Sequence, residues 1–206
     1  MDTPSGLGDG VAEDVTAMAI RVGGAPLVFA SVEIVETPTP ALRVRLVGGE
    51  AEVADGVKRL VEVVGRAPSR EVDGQQSRDL HEAATSWEDG ATLVVRMTVL
   101  PRLLDRCMTI AQTFSQAVRG ELTAHALDGT IRVKADPTED DLPDLADHLT
   151  AARIKVGGMG GSLVISTAPP GTTSVARTGG EGADALLSRR VKDVFDPSRV
   201  LASQVP

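Results

Sequence analysis

Hydrophobic positions recur along the chain in two rhythms. Val11, Val15, Met18 and Val22 fall on one face of a helix that stops at Gly23-Gly24. Residues 27–35 and 41–47 then read as strands, separated by Thr37-Pro38-Thr39-Pro40. In the second, Leu42, Val44 and Leu46 alternate with Arg43 and Arg45, a period of two that predicts one buried face and one wet face. Val53, Val57, Leu60, Val61 and Val64 predict a second amphipathic helix. After the polar residues 66–76, Leu80, Ala84 and Trp87 mark a short helix, with Trp87 expected to anchor the core. Residues 92–99 predict a strand ending at Leu100-Pro101, and Leu103, Leu104, Cys107, Ala111, Phe114 and Val118 give the clearest helical face of the chain. Residues 121–127 and 130–135 flank Asp128-Gly129, a hairpin signal. Leu142, Leu145, Leu149 and Ala152 form another helical face, followed by the Gly-rich residues 157–161 and a strand over 162–167. A Pro/Gly/Thr loop over 168–182 leads to a last helix carrying Leu187, Val191, Val194 and Phe195.

Strands interleaved with helices in this order predict an α+β fold: a mostly antiparallel sheet of about six strands, with helices on one face, built from ferredoxin-like split units. No fixed-period repeat or internal linker interrupts it. Residues 11–206 therefore read as a single domain behind a flexible N-terminus of residues 1–10.

Composition narrows the partners. A chain of 206 residues is long enough for one well-cored domain. The net charge of −8 argues against nucleic acid, and three Phe, one Trp and no Tyr leave little with which to stack bases. No apolar run approaches the roughly 20 residues of a membrane span, so neither a nucleic-acid partner nor membrane insertion is expected. The first ten residues, acidic and Gly-rich, read as neither a secretory signal nor a transit peptide. Cys107 is the only cysteine, which removes a disulfide framework and makes a cytoplasmic location the expectation.

The hairpin carries the candidate chemistry. A two-residue turn at Asp128-Gly129 sets Leu127 opposite Thr130 and His125 opposite Arg132, on one face of the sheet. A register slip of one residue would bury His125, Arg132 and Lys134 together. The pair is therefore expected on the face not packed by helices, with Leu122, Ala124, Ala126, Ile131, Val133 and Ala135 in the core. Two readings of the pair stand: a half-exposed histidine beside an arginine, or an anion pocket in which the planar fork of Arg132 binds a carboxylate. A metal does not fit, because Arg132 keeps its proton and one histidine is far short of a ligand set. Arg96 shares a strand face with Thr92, Val94 and Thr98. It is either a solvated strand residue or a third member of that pocket. His125, Arg132 and Arg96 are thus the candidate substrate-binding residues, and no catalytic residue is assigned.

His81 and His148 sit at solvated helical positions, and Cys107 belongs to an apolar stripe. The glycines at 23–24 read as a helix C-cap. Those at 157–161 lie between helix and strand, the reverse of the order that a phosphate loop needs.

The run Leu186-Leu187-Ser188-Arg189-Arg190-Val191-Lys192-Asp193-Val194-Phe195-Asp196-Pro197 resembles the ending of FAD-linked oxidases of the glycolate oxidase class, in the vanillyl-alcohol oxidase superfamily. Val95-Arg96-Met97-Thr98-Val99-Leu100-Pro101 looks like the strand before the long helix in that class's FAD-binding subunit. Residues 157–169, Gly-Gly-strand-Ala-Pro, look like its penultimate strand. His125-Ala126-Leu127-Asp128-Gly129-Thr130-Ile131-Arg132 is similar to the His-x-Gly-Asp-Gly-Asn-Leu-His hairpin of the larger catalytic subunits, with Arg132 where the second histidine stands. The resemblance implies a C-terminal cap domain that lines the site of a 2-hydroxy acid such as glycolate, with FAD as the family's cofactor. Two departures accompany it. Val200-Leu201-Ala202-Ser203-Gln204 replaces the family's Asn-Pro-Gly segment, and no stretch resembles its flavin-binding domain. This chain alone is therefore expected to bind no FAD, and a flavin-binding domain or subunit in trans is the implied partner. A non-catalytic ferredoxin-like interaction module and a stand-alone small-molecule binding domain are the alternative readings.

Overall fold

A computed structural model of the chain describes residues 8–36, 40–170, 172, 190–191 and 193–197. The elements follow the hydrophobic rhythm: α1 (Gly8–Gly23), β1 (Phe29–Val35), β2 (Ala41–Leu46), α2 (Glu50–Val64), α3 (Gly74–Thr85), β3 (Leu93–Thr98), α4 (Leu104–Ala117), β4 (Glu121–His125), β5 (Thr130–Ala135), α5 (Leu142–Gly157) and β6 (Ser162–Thr167). Helix α1 takes in residues 8–10, which the sequence assigned to the N-terminal tail. Residues 190, 191 and 193–195 are also helical. The Thr-Pro turn at 37–39, most of the loop over 168–182, and Leu187 and Lys192 of the terminal run lie outside the described residues.

All strand pairs are antiparallel, in the order β2-β1-β4-β5-β3-β6. The last four strands with α4 and α5 make a ferredoxin-like unit, because β3-α4-β4 and β5-α5-β6 each return to a strand two places away. The β1–β2 hairpin extends this unit along the free edge of β4.

Strict alternation decides the two faces. Val32 and Ile34 of β1, Leu122 and Ala124 of β4, Ile131 and Val133 of β5, Leu93, Val95 and Met97 of β3 and Leu163 of β6 point to one side and are buried. Helices α1, α4 and α5 cover that side with Met18, Val22, Leu104, Cys107, Phe114, Leu145, Leu149 and Val156. Leu60, Val63 and Val64 of α2 pack onto its margin, where Gly56 lets the helix approach Leu46. Burying a large aliphatic side chain is worth about 2 kcal/mol, so this layer supplies most of the favourable term.

The opposite face differs from expectation, since it is not free of helices. Strand β2 lies at one edge of the sheet and β3 lies beyond β1, β4 and β5. Helices already fill the apolar side, so the connection through α3 crosses the polar side. It lays Ala83, Ala84 and Trp87 beside Glu33, Val35, Arg43, Thr123 and Arg132. Trp87 is accordingly no core anchor. Its ring lies over cations of the polar face, 4.7 Å from Lys134 Nζ and 5.6 Å from the guanidinium carbon of Arg132.

The hairpin also corrects the two-residue turn. His125 pairs with Thr130 and Thr123 with Arg132, so the turn takes residues 126–129 and the register moves by two. The reason is a competing partner: Ala126 N–H donates to Val32 O of β1 at 2.8 Å, so that residue stays with β1 and does not pair with β5. Asp128 Oδ1 accepts from Thr130 N–H at 2.9 Å, and Gly129 closes the loop at φ 70°. A shift of two preserves every face, so Leu122, Ala124, Ala126, Ile131, Val133 and Ala135 are all buried as expected.

Gly129 O accepts from Val99 N–H at 3.0 Å, and a Cβ at Gly129 would overlap Val99 O. Gly129→Ala combines this overlap with a left-handed backbone. It is expected to cost about 2 kcal/mol or more of unfolding free energy in urea titrations; a loss below roughly 0.5 kcal/mol would contradict this account of the turn.

Candidate functional site

The polar face carries a row of ionisable side chains across neighbouring strands. Arg43 on β2 is the Cα partner of Glu33 on β1, and Glu33 is the partner of His125 on β4. Arg132 on β5 is the direct partner of Arg96 on β3. Period-two alternation sets all five on one face, so the structure brings together the three residues singled out from the sequence. His125 and Arg132 are diagonal neighbours instead of directly opposed.

Arg132 is the centre of the row. Its side chain is only 12% exposed. Nη1 donates to Glu88 Oε1 at 3.1 Å, and Nη2 meets His125 Nε2 at 3.0 Å. A guanidinium has no acceptor, so His125 Nε2 accepts and the ring proton sits on Nδ1. That nitrogen faces Glu33 Oε1 at 3.9 Å, and Glu33 Oε2 lies 3.6 Å from Arg43 Nη1. Arg132 Nε is buried with no hydrogen-bond partner among the described residues.

Arg96 is different in kind. Its side chain is 47% exposed, and it lies 3.6 Å from the same Glu88 Oε1 that Arg132 holds. One carboxylate oxygen is thus shared by two arginines that face each other across strands. Glu88 comes from the turn after α3, next to Trp87, so the segment that crosses the face also supplies its bridging anion. Lys134, also over the Trp87 ring, pairs with Glu121 at 3.2 Å. A cleft of about 140 Å³ opens beside Arg132, between Trp87 and Ala84 above and Thr123, Glu33 and Arg43 below.

Taken together the face holds Arg43, Arg45, Arg96, Arg132 and Lys134 against Glu33, Glu88 and Glu121, a local positive excess on a chain of net charge −8. Such a surface attracts small anions, and half-buried arginines bind carboxylates through paired N–H groups. Strand alternation makes Glu33 and Lys134 legible as polar-face residues. Glu88 carries no such signal, because turn residues have no face until the turn is placed.

The remaining candidates do not join this site. His81 and His148 are exposed. Cys107 is fully buried in the core, and burial pushes its thiol up to about 11, so it is not nucleophilic at neutral pH. No group of three or more His, Cys, Asp or Glu among the described residues could hold a metal ion, and no helix among them is long and apolar enough to cross a membrane. The glycines after α5 do not fit a flavin pyrophosphate. Their N–H groups are spent on ending the helix: Gly158 on Ile154 O, Gly160 on Gly157 O and Gly161 on Val156 O. The chain matches no protein-family model, and no curated protein matches it.

Burial separates the two arginines energetically. Replacing Arg132 takes from Glu88 the nearer of its two arginines and from Trp87 one of its two cations, whereas Arg96 makes one long contact. Arg132→Met is expected to destabilise the fold by about 2–3 kcal/mol in urea unfolding followed by Trp87 emission, and Arg96→Met by less than about 1 kcal/mol. Equal losses would mean that the network is not centred on Arg132.

Proposed function

We propose that this chain is a cap domain of an FAD-linked oxidoreductase acting on a 2-hydroxy acid such as glycolate. The observation that carries the reading is the paired Arg96 and Arg132, with His125 alongside, on the polar face of an α+β sheet whose other face is sealed by helices. A cap of this kind needs one sheet face in its core and one turned toward the substrate. The local cations give that second face an affinity for the substrate carboxylate.

In this reading the chain binds and orients, and it does no redox chemistry itself. Arg132, held rigid by His125 and by Trp87, fixes the direction of the carboxylate. Arg96, with more freedom, closes on it from the next strand. Electron transfer belongs to a flavin carried on another domain or subunit. One observation favours the interaction-module reading: Val194 and Phe195, in the terminal helical residues, are 73% and 81% exposed. A cap that docks on a flavin domain also needs an apolar contact surface.

The test is co-purification with a flavin domain. The chain produced alone is expected to be colourless. Produced together with a flavin-binding protein found by reading the DNA beside its gene, it is expected to elute as a yellow complex that oxidises glycolate, with KM raised by about tenfold or more in Arg96→Met. One flavin per chain bound by the chain alone, or a neighbouring flavoprotein equally active without it, would overturn the proposal.

A further inference from the structure

We infer that Glu88 is an internal surrogate for the ligand's carboxylate, so that in the isolated chain the anion site is closed by a side chain of its own. The inference rests on reading the Arg96–Arg132 pair as an anion site, and it adds how that site is regulated.

The geometry carries it. Glu88 Oε1 stands where a bound carboxylate oxygen would stand, at 3.1 Å from Arg132 Nη1 and 3.6 Å from Arg96 Nη2. Yet the fit is incomplete. A single oxygen serves both arginines, the contact to Arg96 is longer than a hydrogen bond, and neither guanidinium is bound through two parallel N–H groups. A free carboxylate can place one oxygen on each arginine, because nothing tethers it. The carboxylate of Glu88 is tethered to a backbone held in the turn, where Asp89 N–H donates to Ser86 O at 3.0 Å and Ala91 N–H to Glu88 O at 3.3 Å, and it sets only Oε1 on the two arginines.

Glu88 is also the part of the site that can leave. It belongs to residues 86–90, the turn between α3 and β3, whereas Arg96 and Arg132 are fixed in central strands. Helix α3 has no buried residue, so little apolar burial holds this segment on the face. Trp87 precedes Glu88 and lies over Arg132 and Lys134, so release of the carboxylate would also move the indole. A tethered competitor acts at an effective concentration of millimolar order or above. A small carboxylate would therefore bind the isolated chain weakly, and tightly only where Glu88 is drawn away, as by a docked partner domain.

Trp87 is the only tryptophan, so its emission reports on this site alone. The full chain is titrated with sodium glycolate at constant ionic strength, with sodium chloride as the control. In Glu88→Gln, saturable glycolate binding is expected to be roughly tenfold or more tighter than in the wild type. Glu88→Asp, whose carboxylate is withdrawn by one methylene, is expected to fall between them. Adding Arg96→Gln to Glu88→Gln is expected to abolish the gain, while thermal melting shows whether each variant is folded. Equal affinities in wild type, Glu88→Asp and Glu88→Gln would overturn the inference, as would a response to chloride as strong as that to glycolate. The two proposals fail separately. Tight glycolate binding by Glu88→Gln without any flavin complex rejects the cap reading alone. A glycolate-oxidising complex, with glycolate affinities equal in the isolated wild type and the isolated Glu88→Gln chain, rejects the surrogate alone.

Discussion

The polar half of this molecule depends on the need of one buried guanidinium for partners. Arg132 sits in the second of two central strands, nearly out of reach of water, and an arginine cannot escape the cost of burial by losing its proton. Its environment must supply acceptors and a polarisable cover. Glu88 and His125 supply the first and Trp87 the second. Once these are in place the rest of the row follows: His125 turns its remaining nitrogen toward Glu33, and Glu33, itself buried, lies against Arg43. The charges of neighbouring strands are therefore coupled, and substitution at the centre should disturb positions two strands away.

The same requirement explains the path of the chain. A ferredoxin-like unit leaves one sheet face bare, and that face here carries a cluster of like charges that would repel one another across strands. Arg96 directly opposite Arg132 is the clearest case. Passing α3 and its turn over the face places a carboxylate between them, so the crossover that the topology demands also neutralises the worst contact of the sheet. A stabilising element and a candidate regulatory element are then the same segment.

Much of this was legible in the sequence, for a reason particular to strands. Period-two alternation in 93–98 and 130–135 assigned Arg96 and Arg132 to one face without any knowledge of their neighbours, and the six strands lie where their hydrophobic runs lie. The hairpin register was not legible, because it turned on Ala126 N–H choosing Val32 O, a contact across strands distant in sequence. Trp87 and Glu88 were misread or missed for the same kind of reason. A tryptophan at the end of a helix reads as core by composition, and only the order of strands β2-β1-β4-β5-β3 shows that this helix must cross the polar side.

The central claim is that the Arg96–Arg132 pair is a carboxylate site on the ligand-facing side of the sheet. A crystal structure of Glu88→Gln grown with glycolate tests it most directly. The account predicts a glycolate carboxylate bridging the two guanidinium groups, with the Trp87 ring moved from its place over Arg132. Glycolate bound elsewhere, or the two arginines turned apart into solvent with no anion between them, would contradict it.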